Sequence, residues 1–242
     1  MNEYRRNAVA TGALFILATV APLLGNAILK PSLGEPVDLT RIAANETALF
    51  VGALLQLVGY AACPCIALAL YPVLRRYGQG FALGSVVFRT LEATFYVVGV
   101  VGLLMLVTLG RETVTSGAAD SAFFTNAAAL LVAGRVWLGF VIGVMFFGIG
   151  GLLYGWLLYR SALVPRWLSG WGIVGATLTM VSGVLVMFQI TSPMTPVHLV
   201  LNLPIFAQEM VLAVWLIARG FSPRAIAAAP AIEPALAGAG AR

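Results

Sequence analysis

Six uninterrupted apolar runs govern what this chain of 242 residues can fold into. They cover residues 8–29, 49–74, 81–109, 130–159, 171–190 and 197–218. Each holds at least the ~20 residues that cross a hydrocarbon core about 30 Å thick. Inside such a core no water is available to the backbone, so each run must satisfy its own N–H and C=O groups, and the helix is the default. An outer-membrane barrel would instead show alternating segments of about ten residues, and none is present. The expected fold is therefore all-α: a polytopic bundle of six transmembrane helices in one domain, residues 1–221. Residues 222–242 are Ala, Pro and Gly with little hydrophobic periodicity and are expected to form a disordered cytoplasmic tail.

Composition excludes the alternatives. Hydrophobic residues make up 61% of the chain and charged residues 10%, against roughly 45–50% and about 25% in soluble domains. A water-soluble enzyme, a secreted disulfide scaffold and a disordered protein are ruled out. The net charge of +5 does not mark a nucleic-acid binder, because the basic residues are scattered singly and in pairs through short loops. They are the charges that orient a chain in a bilayer. Placing the N-terminus inside puts Arg5, Arg6, Arg75, Arg76, Arg160, Arg166, Arg219, Arg224 and Arg242 on the cytoplasmic side. Only Lys30, Arg41 and Arg111 then fall outside, which is a clear positive-inside bias with both termini cytoplasmic. All but one of the 14 basic residues are Arg. With the high Ala and Gly content, this indicates a GC-rich bacterial genome, and hence the bacterial inner membrane. The apolar run from Ala8 is too long for a secretory signal and is read as an uncleaved first span.

Charges inside the spans are the candidate functional residues, since each costs about 3 kcal/mol or more at the bilayer centre. Glu209 lies ten residues before Arg219, about 15 Å from the inner surface. Arg89 and Glu92, at i and i+3 on one helix face, reach a similar level. Cys63-Pro64-Cys65 falls at that depth too, and Pro64 frees the carbonyl of Tyr60. The expectation is a polar pocket in the inner half, lined by Arg89, Glu92 and Glu209 and holding a ligand or proton. An ion pair tying spans three and six together is the competing reading. Arg135 is expected to snorkel at the outer interface with Glu46 as its partner, and His198, the one histidine, to sit there also.

Other features speak against catalysis by a known constellation. The two cysteines lie about 200° apart on a helix, unsuited to one metal or one disulfide, and a single histidine cannot build a multi-histidine site. No nucleophile elbow, zinc-binding His pair or phosphate loop is present, and nothing calls for a cofactor or a metal. Gly139, Gly143, Gly151 and Gly155 lie near one face of span four, and Gly175, Thr179 and Gly183 form a similar stripe on span five. Such stripes serve a dimer seam or packing within one bundle, and the second is favoured. Asp38 is placed to cap a short outer helix before span two.

Leu158-Tyr159-Arg160-Ser161 and Pro165-Arg166-Trp167-Leu168 resemble a motif of an uncharacterised bacterial family, domain of unknown function 4386. The last span is similar too, with Pro204, Glu209, Trp215-Leu216-Ile217 and Gly220-Phe221, as are Leu70-Tyr71-Pro72 and Gly12-Ala13-Leu14-Phe15. The resemblance runs over about residues 5 to 222. It implies a six-span membrane fold with Glu209 and the Pro165-Arg166 loop as family features, and no activity, substrate or cofactor. The leading expectation is a membrane-embedded binding or transport-like protein for a small or lipidic molecule. An intramembrane enzyme using Glu209 as acid or base, and a structural or assembly subunit, are the alternatives.

Overall fold

The computed structural model describes residues 3–34, 37–117 and 121–230, and no strand occurs among them. The helices are α1 (Glu3–Leu33), α2 (Leu39–Ala44), α3 (Glu46–Leu74), α4 (Gln79–Ser116), α5 (Ser121–Val136), α6 (Val144–Ser161), α7 (Arg166–Met187), α8 (Pro196–Ala218) and α9 (Pro223–Ala227). A π-helical segment, Trp137–Gly143, joins α5 to α6 without a break. Six stretches are long and apolar enough to cross a membrane: α1, α3, α4, the α5–α6 unit from Ala122 to Ser161, α7 and α8. The protein is a multi-pass membrane protein.

Neighbours in sequence are neighbours in space. Contacts run from α1 to α3, α3 to α4, α4 to α6, α6 to α7 and α7 to α8, and α8 returns to α1. The six crossings thus close into a ring. The return contact is tight: a Cβ on Gly12 would lie 2.5 Å from the carbonyl oxygen of Ala213. Arg5 reinforces it by donating from Nη1 to Leu216 O (3.1 Å) and from Nη2 to Ile217 O (2.6 Å). A cation thereby occupies the negative end of the α8 dipole and satisfies carbonyls that the helix leaves open. Gly220 then ends the helix in the left-handed region, φ +71°.

Local chemistry starts the helices where the loops demand it. Asp38 accepts from the backbone N–H groups of Thr40 and Arg41 and so caps α2. Thr195 caps α8 by accepting from His198 N, with Pro196 at the first helical position. The α4 and α5–α6 crossings exceed their expected lengths. At 40 residues, Ala122–Ser161 is about 60 Å long, twice the ~30 Å core. These two helices pack on each other and on α2 or the π segment, building out the end of the bundle remote from the N-terminus.

The expectation of disorder from residue 222 is corrected for its first part. Ser222 N–H donates to Leu163 O (2.8 Å), Ser222 caps α9, and the Tyr77 hydroxyl donates to Ala225 O (2.7 Å). Hydrogen bonds to the neighbouring loops, which composition does not reveal, hold this turn in place. Residues 231–242 of the expected tail lie outside the described residues.

Two apolar cores stabilise the bundle. One, near the termini, gathers Phe15, Ile66, Leu70, Leu157, Leu212 and Leu216. The other, at the far end, gathers Leu29, Ile42, Leu49, Leu103 and Leu106. The polar residues of the spans collect between and beside these cores. Large apolar side chains such as Leu24, Leu54, Leu130 and Val214 are exposed on the outside, as lipid contact requires.

Candidate functional site

A cavity of about 780 Å³ lies in the half of the bundle remote from the termini. Its wall is drawn from α1 (Asn26), α3 (Gln56, Tyr60), α4 (Tyr96, Gly99), α5 (Arg135), the π segment (Gly139, Phe140) and α8 (His198, Asn202, Leu203, Phe206). Leu199, Leu203 and Phe206 line it and are also exposed on the outer face of α8. The cavity therefore opens sideways along α8. Near the termini α1 and α8 touch at Gly12; further along, Asn26 and Leu203 both border the open space.

The polar groups in this apolar wall are specific. Among the described residues Arg135 is the one charged residue lining the cavity, and no carboxylate lines it. Its Nη1 donates to the carbonyl of Gly99 on α4. A guanidinium has five N–H donors in a fixed fork, so most of its capacity is uncommitted. The absence of Cβ at Gly102 admits its aliphatic stem, with Cγ 3.3 Å from where that Cβ would stand. The expected partnership with Glu46 is corrected. Glu46 instead receives both Nε and Nη2 of Arg111, because the α3 and α4 ends that carry them lie side by side at the far end. Arg135 points inward to the cavity rather than outward to the interface.

His198 is likewise placed in the cavity wall and is 5% exposed, not interfacial. Asn202 Nδ2 donates to Ser182 Oγ (2.9 Å) and to His198 O (2.8 Å), and Ser182 Oγ stands 2.9 Å from His198 Nδ1. Ser182 Oγ has two lone pairs, so it accepts from Asn202 and can still either donate to Nδ1 or accept from it. The contact holds the imidazole through Nδ1. Ser182 is itself fully buried, so it positions the imidazole and is out of reach as a nucleophile. Across the cavity, Gln56 Nε2 donates to Asn26 Oδ1 (2.7 Å), while Gln56 Oε1 is buried without a partner. The π-helical segment borders the same space. Such segments widen a helix by one residue per turn and frequently accompany functional sites.

The three charged residues singled out from the sequence are elsewhere. None lines the cavity. Arg89 and Glu92 are each 2% exposed and pair at 3.0 Å on α4. Glu209 on α8 is half-buried and lies within electrostatic range of Arg89 and Glu92, with the Tyr154 hydroxyl beside it, while the Cys63 thiol donates to Gly59 O (3.7 Å). The Phe147 ring stands against the guanidinium, 5.1 Å from centroid to Cζ. Helix α6 approaches closely enough to enclose this cluster because Gly150 is bare: a Cβ there would lie 3.1 Å from Arg89 Cγ. Cys63 is buried and Cys65 exposed, both free, and no group of three metal-ligating side chains occurs among the described residues.

The cavity residues Asn26, Gln56, Tyr60, Tyr96 and Asn202 went unremarked as a site in the sequence. One signal was available: side-chain amides inside apolar spans, which in hydrocarbon must find partners. The glycines of span four divide in their roles. Gly143 admits Tyr96, whose Cε1 would be 2.4 Å from its Cβ; Gly151 and Gly155 make ordinary contact with Ala176 and Ile173; Gly139 borders open space.

Comparison with known proteins returns one finding. A family model, described as Domain of unknown function (DUF4386), matches residues 10–220, from the first crossing to the close of the last. No curated protein and no solved structure matches the chain.

Proposed function

We propose that this chain, which belongs to that family, is a bacterial inner-membrane protein that binds an amphipathic small or lipidic molecule in the lateral cavity. The observation that carries the reading is the cavity itself. It has about 780 Å³ of space, an apolar wall, and a single uncompensated cation at Arg135. That volume suits a drug-sized or single-chain ligand, and a few convergent polar groups in an apolar pocket are what such sites present. An anionic or acceptor-rich headgroup meets Arg135 and the ring of His198, while the apolar part lies toward Leu203 and Phe206 and the opening along α8. Arg5, Arg75, Arg76, Arg160, Arg166, Arg219 and Arg224 at the termini end, against Lys30, Arg41 and Arg111 at the other, support a cytoplasmic location for both termini. The cavity then belongs to the outer leaflet.

Binding of a fluorescent fatty acid, with its uncharged alcohol analogue as control, tests the proposal on detergent-purified protein. The acid is expected to bind more tightly than the alcohol. Arg135→Gln is expected to weaken the acid by about tenfold, the value of one charge-assisted contact, and to leave the alcohol unchanged. Equal affinity for both probes, unaffected by the substitution, would overturn the assignment of Arg135 as headgroup contact.

A further inference from the structure

We infer that the Trp215–Arg219 end of α8 holds one anionic phospholipid of the adjacent leaflet, with its phosphate at Arg219 and an acyl chain along the helix. None of the residues that form this site lines the lateral cavity, so the inference is independent of what the cavity binds.

Two hollows meet at these residues. One, of about 440 Å³, runs along α8 past Met210, Val211, Val214 and Ala218. Val211 and Val214 are exposed, and on a helix that crosses a membrane such a face meets lipid. Met210 stands nine residues before Arg219, about 13 Å at the helical rise, and half of a hydrocarbon core is about 15 Å. The hollow therefore runs nearly the depth of one leaflet. The other, of about 400 Å³, lies at the helix end, between the α6–α7 turn at residues 162–165 and the α8–α9 turn at residues 220–223. Trp215 and Arg219 line both. An apolar channel and a hollow between polar backbone turns, joined at a cation, match the chain and the headgroup of a lipid.

Arg219 is available to a ligand. Its Cζ lies 5.1 Å from the centroid of the Trp215 ring. Stacking of this kind holds the guanidinium by its face and leaves the N–H groups on its edge free for a phosphate. Among the described residues its side chain has no hydrogen bond and no carboxylate partner. The helix end does not require it either, because Leu216 O and Ile217 O already accept from Arg5. Trp215 adds the amphipathic ring that favours headgroup depth.

Charge selects the class of lipid. Between Arg160 and Pro230 the turns at this end carry Arg160, Arg166, Arg219 and Arg224, and the one carboxylate in that stretch is Glu209, within α8. Arg166 and Arg224 directly follow Pro165 and Pro223, which line the headgroup hollow. No carboxylate lines either hollow among the described residues. A headgroup with net negative charge is attracted to such a surface, whereas a zwitterionic one brings an ammonium that finds no anion there.

Native mass spectrometry of the full chain tests this, with phosphatidylglycerol or phosphatidylcholine of the same acyl chains added in detergent. The wild type is expected to retain one phosphatidylglycerol at concentrations about tenfold below those needed for phosphatidylcholine, the scale of one charge-assisted contact. Arg219→Gln is expected to erase that preference. Arg75→Gln removes the same charge at the end of α3, outside the site, and is expected to keep it. Equal retention of the two lipids by the wild type, or an equal loss in the two variants, would overturn the site in favour of a general attraction between a basic surface and anionic lipid. Displacement of the phosphatidylglycerol by an equal concentration of soluble glycerol 3-phosphate would overturn the part given to the acyl chain. Tryptophan quenching by lipids brominated on their chains locates the bound molecule. The excess quenching by brominated phosphatidylglycerol over brominated phosphatidylcholine is expected to vanish in Trp215→Phe, and its persistence would overturn the placement on α8.

Discussion

Ser182 Oγ on α7 lies 2.9 Å from Nδ1 of His198 on α8, and the same oxygen receives the side-chain amide of Asn202, one turn further along. Three polar side chains from two crossings thereby satisfy one another beside an apolar cavity. Removal of the central hydroxyl strands His198 Nδ1 and leaves Asn202 only its bond to His198 O. Ser182→Ala is expected to destabilise the folded protein by about 1 kcal/mol, the usual scale for a polar contact between membrane helices. Unfolding in a mixed-micelle titration reads the change. The nitrogen-15 shifts of the His198 ring provide a second readout, since the substitution removes the hydrogen-bond partner of Nδ1 and that nitrogen's shift should move.

Close helix approach makes a contrasting pair of predictions. A Cβ on Gly175 would stand 2.9 Å from both Cα and N of Ile205, which are backbone atoms and cannot swing aside. Gly175→Ala is expected to cost about 1–3 kcal/mol through displacement of α7 from α8. A Cβ on Gly139 would meet nothing within 4 Å, so Gly139→Ala is expected to leave the melting temperature unchanged. Thermal unfolding in detergent compares the two.

The α8 terminus depends on a residue more than 200 positions away. Arg5→Ala removes the donors to Leu216 O and Ile217 O. A loss of about 0.5–1.5 kcal/mol is expected from the lost contacts and the lost cation at the helix end. Amide exchange of the last turn of α8 should quicken while that of α4 does not.

Docking of the short helix α9 rests on a few hydrogen bonds. Tyr77 donates to Ala225 O at 2.7 Å, and burial pushes the Tyr77 phenol above its ordinary range. Tyr77→Phe keeps the ring and removes the bond, so trypsin is expected to cut after Arg224 faster than in the wild type. The same release is expected in the wild type at strongly alkaline pH. The phenol becomes an anion there and can no longer donate, and its raised value places that loss above the normal tyrosine range.

The sequence alone determined the six crossings, because a bilayer obliges each apolar run to close its own hydrogen bonds, and that obligation is local. It also put Arg89 and Glu92 on one face of α4, since a fixed rotation per residue converts spacing into direction. Asp38 as the cap of α2 was legible for the same reason: its partners are two and three residues away. Rotation about each helix axis was not legible. Apolar residues face lipid and protein alike, so hydropathy carries no signal for which side turns inward. Arg135 was read as interfacial for want of that information, yet it turns toward Gly99 and the cavity. The cavity joins Asn26, Gln56, Arg135 and His198, which lie far apart along the chain and share no local pattern. Only the closure of the ring from α8 back to α1, and the π-helical turn that re-aims the start of α6, bring them to one space.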